Sequence, residues 1–587
     1  MPQVQVWAPK LDELSVVLSP SGERIPMERD EQGVFTSQAE LVTGQRYFLS
    51  LPNGLNVPDP RSRRQPEGIH GPSEMIDPSS FEWHDQDWKG FKTRGKLHYE
   101  LHIGTFTPEG TFRAAIDRLD YLVELGVEVV ELMPINPIPG KRGWGYDCVS
   151  LMATYEEYGS PEDLVALVDA MHARGLAACL DVVYNHFGPD GNYVGLFADY
   201  LTDAHRTPWG DALNLDGEGS VHVRRFILDA ITGWARDYHF DAFRMDAVDR
   251  LVDTTSPHIL AEVTDALHTL GEELGHPISV VMESDANSVT MTEPTPHFGG
   301  ETGSFGADMQ WVDDVHHALH VWLTEESNAY YSEYVDEAAV EKVMRQGYYH
   351  DGVWTNFDSK IRGTAVPDTL DGHRFVVFDE NHDQVGNRLV GDRPSSKLSL
   401  GELALSRALI LLSPYTPMLF MGEEWATRRP FPFFTDHDAQ IGDGMVDARA
   451  SEFANWNLEQ IYGEQIPQVP DPQALETFES AKLDWSETQQ PEHQKFLAFV
   501  RELVKLRASV PSFASGDRTQ SEFHLTDDRM SGWMRRGYAF VVFTQDRSGA
   551  SVTVPGFEGA KLLLSFEPVE CDGASVTFSS AGVAVFA

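Results

Sequence analysis

The sequence predicts an α/β protein: a (β/α)8 TIM barrel with an N-terminal β-sandwich and a C-terminal all-β domain. Three observations lead there. From Lys96 to Ala508, short apolar runs alternate with amphipathic helical stretches. Strands that are each followed by a helix imply a parallel sheet covered on its outside. The stretch is long enough for about eight such units, the number in a closed barrel. On either side of it the chain shows only short strands and turns.

In order, residues 1–92 carry the runs VQVWAP, LSVVLS, GVFTSQ and GQRYFLSL between turn signals, which predicts the small sandwich. Residues 52–73, rich in Pro and Gly, read as a linker or as a long loop packed onto the next domain. The barrel is expected over 93–512. KLHYELHIGTF is its first strand, and a helix over 112–125 stops at Gly126. VEVVELMP is the second strand. Ser160 then stands as N-cap, with Pro161 at the first helical position and Asp163 placed to complete a capping box. Leu164, Leu167, Val168 and Met171 share one face of that helix, which Gly175 ends. LAACLDVV follows, then a helix over 222–238 and FDAFRMD, then a helix over 258–274 and ISVVME. RFVVFDE, a helix over 402–412, TPMLFMGEE and a helix over 494–508 complete the barrel. Residues 513–587, with YAFVVFT, ASVTV, KLLLSF and GVAVFA, form the closing β domain.

Composition narrows the function. Of 587 residues, 45 are basic and 91 acidic, a net charge of −46. That field repels nucleic acid and anionic membranes, so neither is expected as a partner, while a neutral sugar is not excluded. The acidity also serves solubility, or a salty cytosol. No segment reaches the ~18 apolar residues of a membrane helix, and MPQVQVWAPK lacks the pattern of a secretory leader. Three scattered cysteines without CxxC spacing argue against disulfides and zinc. Together these predict a cytoplasmic protein.

Barrels act through the side chains at strand C-termini. Here the third strand ends in Asp181-Val-Val-Tyr-Asn-His186, the fourth in Arg244-Met-Asp246, the fifth in Glu283 and the seventh in Asn381-His382-Asp383. Four carboxylates, two histidines and an arginine are thus sent to one rim. Arg244 and Asp246 share a face of their strand, and the cation favours the charged carboxylate. Glu283 follows the apolar run ISVVM, which disfavours its ionisation and suits it as a proton donor. One carboxylate kept charged and one kept protonated is the requirement of two-step glycoside hydrolysis. Asp246 is therefore the expected nucleophile and Glu283 the acid/base. Asp383 is expected to bind ring hydroxyls and to strengthen that grip as the sugar distorts. His186 and His382 are expected to bind sugar hydroxyls.

These segments resemble the four signature regions of the α-amylase superfamily, glycoside hydrolase family 13: DVVYNH (181–186), FRMDAV (243–248), Glu283, and ENHD (380–383). Within it the chain is most similar to the malto-oligosyltrehalose trehalohydrolases, through PINPIPGKRGWGYD (134–147), YNHFGPDGNY (184–193), NHDQVGNR (381–388) and MGEEWATRRPFPFFTDH (421–437). The resemblance implies hydrolysis of the α-1,4 bond next to a terminal trehalose, with retention. It implies that Tyr146 stacks under the sugar at the cleavage point, with Asp181, His186, Arg244 and His382 around it. It also implies a metabolic partner, a malto-oligosyltrehalose synthase that supplies the substrate from α-glucan.

The sequence departs from the family at Asp249, where a His is common, and in ESDANSVTMTEP (283–294) around the acid/base. Asp285 and Asn287 are the candidates there for hydroxyl contacts with the leaving group, and Glu423 and Glu424 for the rim. Some amylases bind calcium through the Asn equivalent to Asn185, but a set of six to eight oxygen ligands cannot be assembled here. No metal and no cofactor are expected. An α-1,4-glucan branching enzyme, a plain α-amylase or neopullulanase, and an inactive glycan-binding scaffold remain as alternatives.

Overall fold

The computed structural model describes residues 3–357, 359–454, 456–557 and 559–587. Its centre is a closed parallel barrel. The strands are β1 (His98–Leu101), β2 (Val129–Leu132), β3 (Ala177–Val182), β4 (Ala242–Met245), β5 (Ser279–Glu283), β6 (Met309–Trp311), β7 (Phe375–Val377) and β8 (Thr416–Phe420). They run round the barrel in chain order, and β8 closes it by pairing in parallel with β1.

Because side chains alternate along a strand, each barrel strand divides between an inner and an outer face. Inside, Val129, Ala177, Cys179 and Ala242 form a lower layer plugged by Trp88 and Phe91. Val281, Met309, Trp311, Val376, Phe378 and Met418 fill another part of the interior. Outside, Leu180, Val182, Phe243, Met245, Val280 and Met282 belong to the main core shared with the helices.

The covering helices are α1 (Leu119–Leu125), α2 (Pro161–His172), α3 (Ser220–Tyr238), α4 (Ile259–Leu274), α5 (Asp313–Thr324), α6 (Leu400–Leu411) and α7 (Pro491–Ser509). The capping box of α2 forms as expected: Asp163 N–H donates to Ser160 Oγ at 3.3 Å, and Ser160 N–H to Asp163 Oδ2 at 3.0 Å. Two expectations need correction. The helix read over 112–125 is two pieces, Phe112–Ile116 and Leu119–Leu125. Between β5 and β6 the described residues form no covering helix, only the short 3-10 turns Val289–Met291 and Pro296–Phe298. The unit β6–α5 had no counterpart in the sequence reading.

The N-terminal strands form an antiparallel sheet around their own core, including Val6, Val16, Phe35, Tyr47 and Leu49. The Pro- and Gly-rich segment is no free linker. Ser73–Glu74 adds a strand to that sheet, and the arginines before it clamp the barrel. Arg61 meets Asp229 at 2.8 Å, Arg64 meets Glu156 at 2.7 Å, and Arg63 pairs with Asp237.

Beyond α7, five strands form a sheet in the order Ser521–Leu525, Ser531–Arg536, Ala539–Thr544, Gly582–Phe586, Leu562–Ser565. One face of it, with Met534, Val541, Phe543, Val583 and Val585, is continuous with the barrel's core. The other, with Trp533, Phe540, Val542 and Phe586, packs on the second sheet through Val552 and Val576. Among the described residues no helix is long and apolar enough to cross a membrane.

Candidate active site

The strand register sets the centre of the site. Asp181 on β3 lies directly beside Arg244 on β4, and Glu283 on β5 beside Trp311 on β6. Arg244 is fully buried. Its Nη1 donates to Asp181 Oδ1 and Oδ2 at 2.9 and 2.8 Å and to Asp246 Oδ1 at 2.8 Å. Its Nη2 lies 3.3 Å from Glu283 Oε2, and its guanidinium carbon sits 4.3 Å from the centre of the Trp311 ring. One guanidinium therefore ties three carboxyl groups together.

Asp246 is fixed from its other side by Asn185, whose Nδ2 donates to Asp246 Oδ2 and to its carbonyl, both at 2.7 Å. Asn185 Oδ1 faces His186 Nδ1. Both ends of this amide are thus engaged within the protein. Ala247, the next residue after Asp246, takes a left-handed conformation with φ 40°, costly by about 1–2 kcal/mol for a residue with a Cβ. That turn aims its N–H at Glu283 Oε2.

Burial pushes the Glu283 carboxyl well above the usual range; Arg244 pulls against it, and Asp246, Asp383 and Asp313 add to the rise. Burial also raises Asp181 to about 7, again against Arg244.

A cavity of about 620 Å³ opens above these groups. Tyr146, His186, Asp246, Glu283, Asp285, His382 and Asp383, all expected site residues, line it. Tyr146 donates to Asp181 Oδ2 at 2.6 Å and stacks on His382, ring centres 5.0 Å apart. His382 is held by a residue the sequence reading missed: Glu100 on β1 accepts from its Nδ1 at 2.5 Å and from its backbone N–H at 3.0 Å. Burial alone would lower the pKa of this imidazole, but Asp383 and Glu100 bring it up to about 9.

Other expected residues stand elsewhere. Asp181 and Arg244, 1% and 0% exposed, lie beneath the cavity and hold its lining groups in place. Asn287 is buried away from the cavity: its amide donates to Asp314 Oδ2 at 2.7 Å and to the His350 carbonyl at 3.2 Å. Glu423 and Glu424 are not on the rim either, since both are fully buried. The chain turns inward after β8, bringing Glu423 to Arg407 and Glu424 to the hydroxyls of Tyr99 and Tyr121, at 3.0 and 2.8 Å.

Asp249, the departure noted in the sequence, lies against the acid/base loop. It accepts from Ser284 Oγ at 2.5 Å and from the Asp285 N–H at 3.2 Å. Burial, opposed by the Ser284 hydroxyl and reinforced by Asp285, brings it to about 6. Burial acts to raise Asp285 as well, but Arg362, the hydrogen bond with Asp249, Lys360 and Arg250 together hold that carboxyl below the usual range.

Part of the wall carries no motif: Trp209, Asp313, His317, Tyr330, Phe357, Arg362 and Arg449. Trp209 sits between the hairpin strands Leu201–Thr207 and Gly210–Leu213, is half exposed, and stacks on His186 at 4.4 Å. A tryptophan in a polar turn was the one available signal. Asp313 opens a helix just after a strand, the position that identified the other carboxylates.

The α-amylase catalytic-domain family matches residues 75–206. A malto-oligosyltrehalose trehalohydrolase of Arthrobacter ramosus is 43% identical over 86% of this chain and 87% of its own length. One from Rhizobium sp. (strain M-11) is 40% identical over 99% and 96%. The chain belongs to the malto-oligosyltrehalose trehalohydrolase family. A solved Salmonella typhimurium structure described as an alpha amylase superposes with TM-score 0.88, at 35% identity, over 99% of this chain and 97% of that one.

As to metals, among the described residues Asp379, Glu380 and Glu423 form a buried carboxylate cluster close enough to share a cation. Arg407 already occupies that role in this trehalohydrolase-family chain. It meets Asp379 at 2.6 Å and Glu380 at 3.2 Å, and it pairs with Glu423.

Proposed function

We propose that this chain hydrolyses the α-1,4-glucosidic bond next to the terminal trehalose of a malto-oligosyltrehalose, with retention, releasing trehalose and a shortened malto-oligosaccharide. The observation that carries the chemistry is the sharing of Arg244 between Asp246 and Glu283. A shared guanidinium keeps two carboxyl groups at short range. Retaining enzymes hold theirs about 5–5.5 Å apart, while inverting ones leave room for a water.

The roles follow from the surroundings. Asp246 Oδ1 and Oδ2 are held by Arg244 and Asn185, which stabilise the carboxylate that attacks the anomeric carbon. Glu283 Oε2 is engaged by the Ala247 N–H and Arg244, leaving Oε1 to carry the proton given to the departing oxygen. The now charged Glu283 then takes a proton from water, whose oxygen attacks the anomeric carbon and releases Asp246. Asp383 binds ring hydroxyls as the sugar flattens, and Tyr146, backed by His382, offers a ring to its apolar face. Asp285 contacts the leaving group.

A cytoplasmic location fits the three free thiols, Cys148, Cys179 and Cys571. The substrate is made by a malto-oligosyltrehalose synthase, the metabolic partner of this reading.

Product analysis on maltotriosyltrehalose and maltopentaose, with wild type and Asp246→Ala, tests it. Free trehalose from the capped substrate, little cutting of maltopentaose and loss of both in the variant are expected. Maltose-type products from both substrates would keep the mechanism and overturn the specificity.

A further inference from the structure

Helix α5 begins where β6 ends, so its first turn stands at the rim between the ends of β5 and β7. Asp313 is its first residue and His317 follows one turn later, on the same face. Both line the cavity.

Among the described residues the Asp313 carboxyl meets no hydrogen-bond donor, and its charged neighbours are Asp383, Arg362, Asp314 and Asp285. Burial and Asp383 bring it to about 7, with Arg362 opposing. His317 is 8% exposed, and its Nδ1 is enclosed without a partner. Burial, packed against the rings of Tyr330, Tyr331 and Tyr334, holds it well below the usual range, so the ring is neutral. The Asp313 carboxyl is part-exposed to the cavity, while the enclosed Nδ1 of His317 costs the fold, because a buried polar group without a partner is unfavourable. The carboxyl and the Nε2 edge of the ring remain open to a ligand bearing hydroxyls. It can donate to the carboxyl and exchange hydrogen bonds with the ring.

Position identifies which part of the ligand this is, given the roles proposed for Asp246 and Glu283. Glu283 ends β5 and hands its proton to the departing oxygen, so the leaving group lies on its side of the cavity. β6 is the next strand round from β5, away from β3, which leads into His186. We propose that Asp313 and His317 are a hydroxyl-binding pair for the departing disaccharide, and that they set the preference for a trehalose-capped end. The inference rests on the function proposed above.

The test compares maltotriosyltrehalose with 4-nitrophenyl α-maltotrioside, whose aryl leaving group has no ring hydroxyls, in wild type, Asp313→Asn and His317→Phe. The expected result is that kcat/KM on the capped substrate falls at least tenfold more than on the aryl glycoside. Inhibition by added trehalose should weaken at least tenfold in both variants. Parallel losses on the two substrates, with trehalose inhibition unchanged, would overturn the pair as a recognition element. A wild type that cuts the aryl glycoside but releases no trehalose would overturn the trehalose reading, and the inference with it. A wild type that does release trehalose, with variants that discriminate as it does, would sink the inference alone.

Discussion

Arg244 within β4 and Asp246 just past its end point the same way and meet at 2.8 Å between Nη1 and Oδ1. The alternation of a strand makes this pair possible, and complete burial of the arginine keeps water from competing for it.

Substituting Arg244 should therefore damage fold and chemistry together. Arg244→Gln leaves Asp181, Asp246 and Glu283 crowded without a cation, and breaking such a buried pair costs about 3–5 kcal/mol. Urea unfolding should show that loss, and hydrolysis should fall by about 10²–10³-fold, the scale of losing electrostatic support for developing charge. A variant that unfolds like the wild type would contradict this account of Arg244.

Glu283→Gln removes the transferable proton while keeping the shape. Hydrolysis of maltotriosyltrehalose should drop by ~10²–10⁴, the usual contribution of a general acid. The drop should be much smaller on 4-nitrophenyl α-maltotrioside, because that leaving group departs without a proton. Equal losses on the two substrates would remove Glu283 from the acid role.

The alkaline side of the pH–rate profile should report Glu283. Its carboxyl stands well above the usual range by burial, and the negative charges of Asp246, Asp383 and Asp313 lift it further. Asp313→Asn deletes one of those charges, so Glu283 should release its proton more easily and the alkaline limb of kcat/KM should move to lower pH. A shift in the opposite direction would refute the assignment of that limb.

Away from the site, His172 gives a stability signature. It lies between Asp85 and Asp241, at 2.8 and 3.0 Å, and their hydrogen bonds raise it to about 9 against the burial that lowers it. A histidine at ~6.5 when unfolded and higher when folded contributes stability that is complete below the unfolded value. That contribution is lost as pH rises through about 9. Asp241→Asn should cost on the order of 2–3 kcal/mol at pH 6 and progressively less towards pH 10. Denaturant midpoints at both ends of that range would check it; a penalty independent of pH would locate the effect in lost hydrogen bonds alone.

How far the sequence could be read depended on local periodicity. Asp181, Asp246, Glu283 and Asp383 were legible because strand alternation and strand ends are local properties, and apolar runs mark them. β6 was not, since three residues, Met309–Trp311, are too few to show a period. With it went Asp313 and His317. Glu100 escaped for another reason: it lies within the first strand, and only closure of the barrel between β1 and β8 brings it under His382. Asn287 and the Glu423–Glu424 pair show the opposite failure. Proximity in sequence to a catalytic strand end suggested the rim, but left-handed backbone at Asn287 and Gly422 redirects the chain, and these polar groups bond inside the protein. The split of the first predicted helix at Asp117 and Arg118 likewise reflects a bend that apolar spacing alone does not register.

The two-faced C-terminal sheet constrains how the molecule comes into being. Gly582–Phe586 is an inner strand of that sheet, and its Val583 and Val585 belong to the same apolar core as the barrel. At about 5–20 residues per second, several hundred residues of barrel leave the ribosome well before that strand does. Until it arrives, the barrel's neighbouring apolar surface lacks the part of its cover that Val583 and Val585 provide and must be kept from sticking to other nascent chains. Completion of this fold thus waits on Gly582–Phe586, and its heaviest demand on chaperones should fall in the interval between synthesis of β8 and synthesis of that strand.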